Sequence, residues 1–224
     1  MKDSTKNAIL SVYDKSHLQE FADALVRLGW QLYSTEGTLA EIRHLPAKET
    51  GGKEGLPNFV VKGVHSLTKV TGRHDTLNGR VKTLNDKIHS AILATPRDSA
   101  QIEEFKKNGI PIIEMVVVNF YPFWAVVSTP NVSIEEAVEN IDIGGPTMVR
   151  AAAKNFEHVI TVVDPGDYET VVEHLERGEN TLEWRQTLAL KAFQHVAQYD
   201  QQIVAYFERA CAHLTTSSLT SSPA

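Results

Sequence analysis

The amino-acid sequence predicts an α/β domain: a parallel sheet with helices packed on it and further helices toward the C-terminal end. Short apolar runs alternate with segments of helical periodicity from the first residues onward, and a β-α-β-α order of this kind implies a parallel sheet. Glu114–Phe120 contains the unbroken apolar run Met115-Val116-Val117-Val118, as expected of a strand buried on both faces. The chain has 224 residues, 42% hydrophobic and 22% charged, enough for one large core without disulfides or metals.

Ala8–Val12 reads as the first strand, broken by Tyr13-Asp14-Lys15. Ser16 and Gln19 have the spacing of a capping box, and Leu18, Phe21, Ala22, Leu25 and Leu28 follow at helical spacing up to Gly29. Trp30–Tyr33 is a second strand. Ser34-Thr35-Glu36-Gly37-Thr38 then turns into a helix over Leu39–His44. The polar, glycine-rich stretch Ala47–Pro57 reads as an exposed loop, and Asn58–Thr71 as one or two short strands. Asn78–Lys87 has little periodicity, and Ile88–Ala94 is apolar again. Ser99–Asn108 is an amphipathic helix closed by Gly109, and Pro122 ends the central strand. Ser133 and Glu136 form another capping box. Pro146 stands at the first position of a small-residue helix that runs through Thr147–Asn155. Val159–Val163 is a strand, and Asp167–Arg177 and Leu182–His213 are helices. Thr215–Ala224 is rich in Ser and Thr and is expected to be a disordered tail after a domain spanning residues 1–214.

A formal net charge of -6 argues against broad contact with nucleic acid or anionic membrane. No apolar run approaches the ~20 residues needed to span a bilayer, and the polar N-terminus does not resemble a signal peptide. The single cysteine, Cys211, cannot form an intrachain disulfide and reads as a packing residue. These features predict a cytoplasmic protein.

Ligands of open parallel sheets bind beyond the carboxyl ends of the strands. The turns after the strands are therefore the candidates: Tyr13-Asp14-Lys15, Ser34–Thr38, and Asn119-Phe120-Tyr121-Pro122. Ser34–Thr38 is either an ordinary helix cap or a phosphate cradle built on a helix N-terminus. Gly79-Arg80-Val81-Lys82-Thr83 is either a solvated loop or a clamp on phosphate or a developing oxyanion. Asp142, between Ile141 and Ile143 and before Gly144-Gly145, is either a helix cap or a pocket group. Lys154 near a helix C-terminus is either a dipole partner or a functional cation.

Six blocks carry a resemblance. They are Ser11–Lys15, Gly79–Leu84, Val118–Phe123, Asn140–Thr147, Arg150–Asn155 and Leu188–Phe193. In this order they resemble the IMP cyclohydrolase domain of the bifunctional AICAR transformylase/IMP cyclohydrolase family, from about Ala8 to about Tyr206. The resemblance implies a three-layer, methylglyoxal-synthase-like α/β fold without the transformylase half. It implies ring closure of FAICAR to IMP with loss of water in de novo purine biosynthesis, a hydrolase-class cyclohydrolase that needs no metal or organic cofactor. The implied catalytic residues are Lys82, Tyr121, Asp142 and Lys154. The implied nucleotide-binding residues are Tyr13, Asp14, Lys15, Ser34, Thr35, Glu36, Gly37, Thr38, Arg80, Val81, Thr83, Val118, Asn119, Ile143 and Gly144. The implied partners are the purine nucleotide and a second copy in a homodimer, with a separate AICAR transformylase among the conceivable ones.

The chain departs from the family pattern at three places. Glu36 stands where the family has glycine, Asn85-Asp86 replaces His-Pro, and Ala47–Pro57 reads as an insertion. These departures keep two other readings open: a paralogue acting on a related purine precursor or nucleotide analogue, and a non-catalytic nucleotide-binding regulatory module. Methylglyoxal synthase activity is disfavoured, because Asn119 and Tyr121 stand where that group carries acids.

Overall fold

A computed structural model describes residues 6–43, 63–72, 83–95 and 98–219, with side chains to Ala212. Five parallel strands form one sheet in the order β3-β2-β1-β4-β5: β1 (Lys6–Ser11), β2 (Trp30–Ser34), β3 (Val64–Ser66), β4 (Met115–Val118) and β5 (Ile160–Val162). The expected α/β class and parallel sheet are both present.

The two central strands explain the layering. Along β1, Ile9 joins one buried cluster while Ala8 and Leu10 join another; along β4, Val116 and Val118 face the first and Met115 and Val117 the second. Alternate side chains point to opposite faces of a strand, so an unbroken apolar run is what a middle layer needs. One face is covered by α1 (Leu18–Arg27), α2 (Glu36–Arg43) and α9 (Tyr168–Glu176). The other is covered by α4 (Asp86–Leu93), α8 (Gly144–Lys154) and the 38-residue α10 (Leu182–Leu219). Three short helices, α3 (Thr68–Thr71), α6 (Phe123–Val127) and α7 (Ile134–Glu139), and the edge helix α5 (Ser99–Lys107) complete the described residues.

Several boundaries differ from the sequence reading for local reasons. The box at Ser16 and Gln19 does not form. Ser16 N and Oγ both donate to Asp14 Oδ1, at 2.9 and 2.6 Å, and Gln19 Nε2 donates to Glu41 O at 3.2 Å. A carboxylate two residues upstream takes the donors that a serine cap would organise, and α1 starts instead after His17 in a left-handed conformation, φ 57°. The cap at Ser133 does form, its Oγ accepting from Glu136 N at 3.0 Å. Helix α2 begins at Glu36, three residues before Leu39. Pro146 is the third residue of α8 rather than the first, because Asp142 starts that helix from further back.

Asn58–Thr71 yields β3 and α3 where it is described, and the segment Asn78–Lys87 ends in α4, capped by Asn85 Oδ1 accepting from Lys87 N at 2.9 Å. Helix α10 continues to Leu219, through the first five residues of the expected tail. Cys211 is exposed on α10 rather than packed in the core. The loop Ala47–Pro57 lies outside the described residues. No helix among the described residues is long and apolar enough to cross a membrane.

Candidate functional site

The carboxyl ends of β1, β2 and β4 open onto two neighbouring cavities. The first, about 700 Å³, is lined by Ser11 and Val12 after β1, Thr35, Gly37 and Thr38 at the start of α2, Thr83, and the segment Val138–Gly145 without Asn140. The second, about 950 Å³, is lined by Tyr13, Asp14, Lys15, Asn119 and Phe120 together with Asp164, Lys191 and His195. At the second, the rings of Tyr13 and Tyr121 meet edge to face, centroids 4.5 Å apart at 73°.

Asn119, which lines the second cavity, ties the turn after β4 to the turn after β1. Its Oδ1 accepts from Tyr13 N and Asp14 N at 2.7 and 2.8 Å, and its Nδ2 donates to Asp14 O at 3.0 Å. One amide thus satisfies three backbone groups of a turn 105 residues away. Asn119 is 9% exposed, so truncation strands buried donors. Asn119→Ala is expected to lower the unfolding free energy by about 1–3 kcal/mol, read from urea denaturation, and to loosen the Tyr13–Lys15 turn.

In the first cavity, Thr38 is 1% exposed. Its Oγ1 accepts from Val12 N at 3.0 Å, and the Thr35 hydroxyl lies 3.3 Å from both Thr38 Oγ1 and Ser11 Oγ. These hydroxyls join the end of β1 to the first turn of α2. The helix dipole and the free N–H groups of that turn favour an anion there. Glu36 in the same turn is engaged elsewhere: its Oε1 accepts from Ser66 Oγ at 2.5 Å. The bond draws the carboxylate toward β3, and Glu36 does not line the cavity.

Asp142 closes the opposite side. Its Oδ1 accepts from Gly145 N at 2.9 Å, and its own N–H donates to Tyr199 Oη at 2.8 Å. Burial pushes its carboxyl pKa up, opposed by the hydrogen bonds from Gly145 and Gly144. The two sequence alternatives for Asp142 are therefore both true, since it caps α8 and lines the cavity. The glycines beside it leave room: a Cβ on Gly144 would collide with Thr83 Oγ1, and one on Gly145 would stand 2.6 Å from Asp142 Oδ2 and 3.0 Å from Phe120 Cδ1. Gly145→Ala must push Asp142 aside. It is expected to cost about 1–3 kcal/mol of stability, read as a lowered thermal midpoint, and to impair whatever Asp142 does.

In the second cavity Lys191 Nζ donates to Asp164 at 2.7 Å and to both oxygens of Asp167 at 2.8 Å. The hydrogen bond from Lys191 holds the Asp164 carboxyl below its ordinary range. His195 packs on Phe120, ring centroids 4.6 Å apart, and burial pulls its pKa down, so it is neutral at pH 7.

The family model described as "MGS-like domain" matches residues 17–147. The chain belongs to the MGS-like domain family. A second model, "AICARFT/IMPCHase bienzyme", matches residues 152–222 of this MGS-like protein. The bifunctional purine biosynthesis protein PurH of Staphylococcus saprophyticus is 44% identical over 203 residues, covering 91% of this chain and 38% of the relative. PurH of Staphylococcus aureus strain USA300 is 43% identical over the same shares. The crystal structure of ForH superposes with a TM-score of 0.72 at 34% identity, covering 91% of this chain and 100% of that one. The MGS-like chain spans 38% of the length of the PurH relatives and corresponds to their cyclohydrolase-like part.

The residues expected in the site divide as follows. Thr35, Gly37, Thr38, Thr83, Asp142, Ile143 and Gly144 line the first cavity. Tyr13, Asp14, Lys15 and Asn119 line the second, and Tyr121 lines neither, its ring lying against that of Tyr13. Ser34 and Val118, 0% and 1% exposed, are core residues whose side chains reach neither cavity. Arg80, Val81 and Lys82 lie outside the described residues. Lys154 is exposed at the last position of α8. From the first residue, beside Asp142, α8 rises ~15 Å to Lys154 at 1.5 Å per residue, so one chain does not bring the two together.

Sequence reasoning missed Val138, Glu139 and Ile141, which border the first cavity. It also missed Asp164 and His195 in the second. Lys191 belonged to a block that carried the resemblance, and its position in that block was the available signal.

Proposed function

We propose that the chain is an IMP cyclohydrolase, closing the second ring of FAICAR to give IMP and water. The observation that carries this reading is the first cavity: an anion cradle at Thr35–Thr38 opposite a half-buried Asp142, in a chain 44% identical to PurH along 91% of its length. The phosphate of a ribotide suits the helix N-terminus, and the reacting end then lies toward Asp142.

The reaction joins the carboxamide nitrogen to the formyl carbon of the same molecule. A C–N bond forms, the carboxamide nitrogen and the formamide nitrogen each lose a proton, and the formyl oxygen leaves as water after taking up two. Holding the carboxamide and formyl groups together supplies much of the acceleration. Asp142, in the wall of the first cavity, would take the carboxamide proton. Tyr121 and Lys82, assigned through the family resemblance, would serve the developing oxyanion and its protonation.

Two of the departures from the family pattern have local explanations. Glu36 is tied to Ser66. Asn85 caps α4, and Asp86 lies in its first turn, where a carboxylate complements the helix dipole. The test is direct: purified protein is incubated with FAICAR and IMP formation is followed by ultraviolet absorbance, beside Asp142→Asn. Rapid IMP formation abolished by the substitution is the expected result. A folded protein that forms no IMP sinks the reading in favour of a related purine precursor as substrate.

A further inference from the structure

Asp142 depends on a residue far from it in sequence. Tyr199, on α10, accepts a 2.8 Å hydrogen bond from the Asp142 backbone N–H across 57 residues. The phenol is 5% exposed. Its ring meets Phe120 edge-on with centroids 5.0 Å apart at 63°, and Phe123 at 6.4 Å and 71°. Those neighbours would accommodate phenylalanine equally well, so packing does not account for the hydroxyl. A buried Tyr hydroxyl normally finds a polar partner, and here the partner is the turn that carries the candidate base. Phe120 links the same parts a second time, since it touches both Tyr199 and the space beside Gly145.

We propose that Tyr199 is a positioning residue for Asp142: by anchoring the Asp142 N–H it holds the turn that keeps the carboxylate beneath the N–H groups of Gly144 and Gly145 and directed into the first cavity. The inference rests on the cyclohydrolase reading for its kinetic consequence, though not for its geometry. The phenol stays protonated. Burial raises its pKa, and the charges of Asp142 and Asp200 act the same way against the hydrogen bond from Asp142. Tyr199 is therefore a neutral acceptor toward the backbone, and it leaves the Asp142 carboxylate free to change protonation. The other titratable side chain lining the first cavity among the described residues is Glu139, on α7.

The test is Tyr199→Phe, which keeps the ring and removes the acceptor, with Tyr199→Leu as the comparison that removes the ring as well. For Tyr199→Phe the expected kcat on FAICAR falls by about tenfold or more, as small misplacements of a reacting group do, with KM within about twofold and a thermal midpoint near that of the wild type. In the substrate-free protein, the Asp142 carboxyl is titrated by NMR with ¹³C-labelled aspartate, its signal assigned from its loss in Asp142→Asn. Its pKa is expected to move upward in Tyr199→Phe, because the N–H bonds that favour the charged form weaken. An unchanged titration, whether or not the thermal midpoint falls, overturns the proposal and leaves Tyr199 a packing residue. If the wild type makes no IMP, the cyclohydrolase reading fails separately, and the titration still decides the role of Tyr199.

Discussion

Asp142→Asn is expected to lower kcat for ring closure of FAICAR by about 10²–10⁴-fold, the usual cost of losing a positioned general base, while KM changes far less. Asparagine is nearly isosteric and its Oδ1 can still accept from Gly145 N, so the cap on α8 survives and the loss isolates proton transfer from folding. The pH behaviour follows from burial, which raises the carboxyl pKa above its ordinary 3.8. As a base, Asp142 must be ionised, so kcat/KM of the wild type is expected to rise with pH through that elevated pKa. For stability, a carboxyl whose folded pKa is raised binds protons more tightly in the native state. Its contribution is full below the unfolded pKa and is lost as pH rises through the folded one. At pH 7 Asp142→Asn is therefore expected to be as resistant to urea as the wild type or more so. A variant that keeps turnover near the wild-type value removes Asp142 from the chemistry.

If the chain pairs with a second copy of itself, Lys154→Met and Asp142→Asn, each inactive alone, are expected to recover activity when the two proteins are mixed and allowed to exchange subunits. Lys154 is assigned to the site by the family resemblance, yet it ends α8 at the pole opposite Asp142. One turn earlier, Arg150 lies over the Phe193 ring at 5.8 Å. Phe193 belongs to a set of exposed apolar side chains on α10 with Leu190, Val204 and Phe207, 39–60% exposed. A second copy covering that surface would meet Lys154 at its edge and could receive the lysine into its own cavity. In random mixed dimers one of the two composite sites is then intact, and about a quarter of wild-type activity returns. If mixing restores nothing while Lys154→Met alone stays inactive, the lysine acts within its own chain. If Lys154→Met alone is active, it has no part in the reaction.

The fold was largely legible because its determinants are local. Met115–Val118 announces a two-face-buried strand, and Ser133 announces a cap that forms as read. The site was legible in pieces. Strand ends pointed to Tyr13–Lys15, Ser34–Thr38 and Asn119–Pro122, and all three turns do converge. What the sequence could not show is that Asn119 ties two of them together, and that the expected nucleotide residues fall in two cavities. The tie depends on side-chain hydrogen bonds between segments 105 residues apart. Lys154 shows the opposite failure: it lies twelve positions from Asp142 in a single motif-rich stretch, but a straight helix converts that proximity into distance. The capping box at Ser16 misled because a nearby Asp14 carboxylate took its donors.

Strand β1 pairs with β2 after a short connection, but it pairs with β4 only after more than a hundred residues have been added, Ala8 lying opposite Met115. Closing so long a loop carries a larger entropic cost than the neighbouring pairing, and non-local strand contacts slow folding. As the chain leaves the ribosome, β1 and β2 can therefore associate while the turn after β1 still lacks Asn119, and Asp142 has yet to be synthesised. Neither cavity exists in such a nascent form. A ligand of either cavity stabilises only the finished domain, with nothing to grip during the step that commits the sheet.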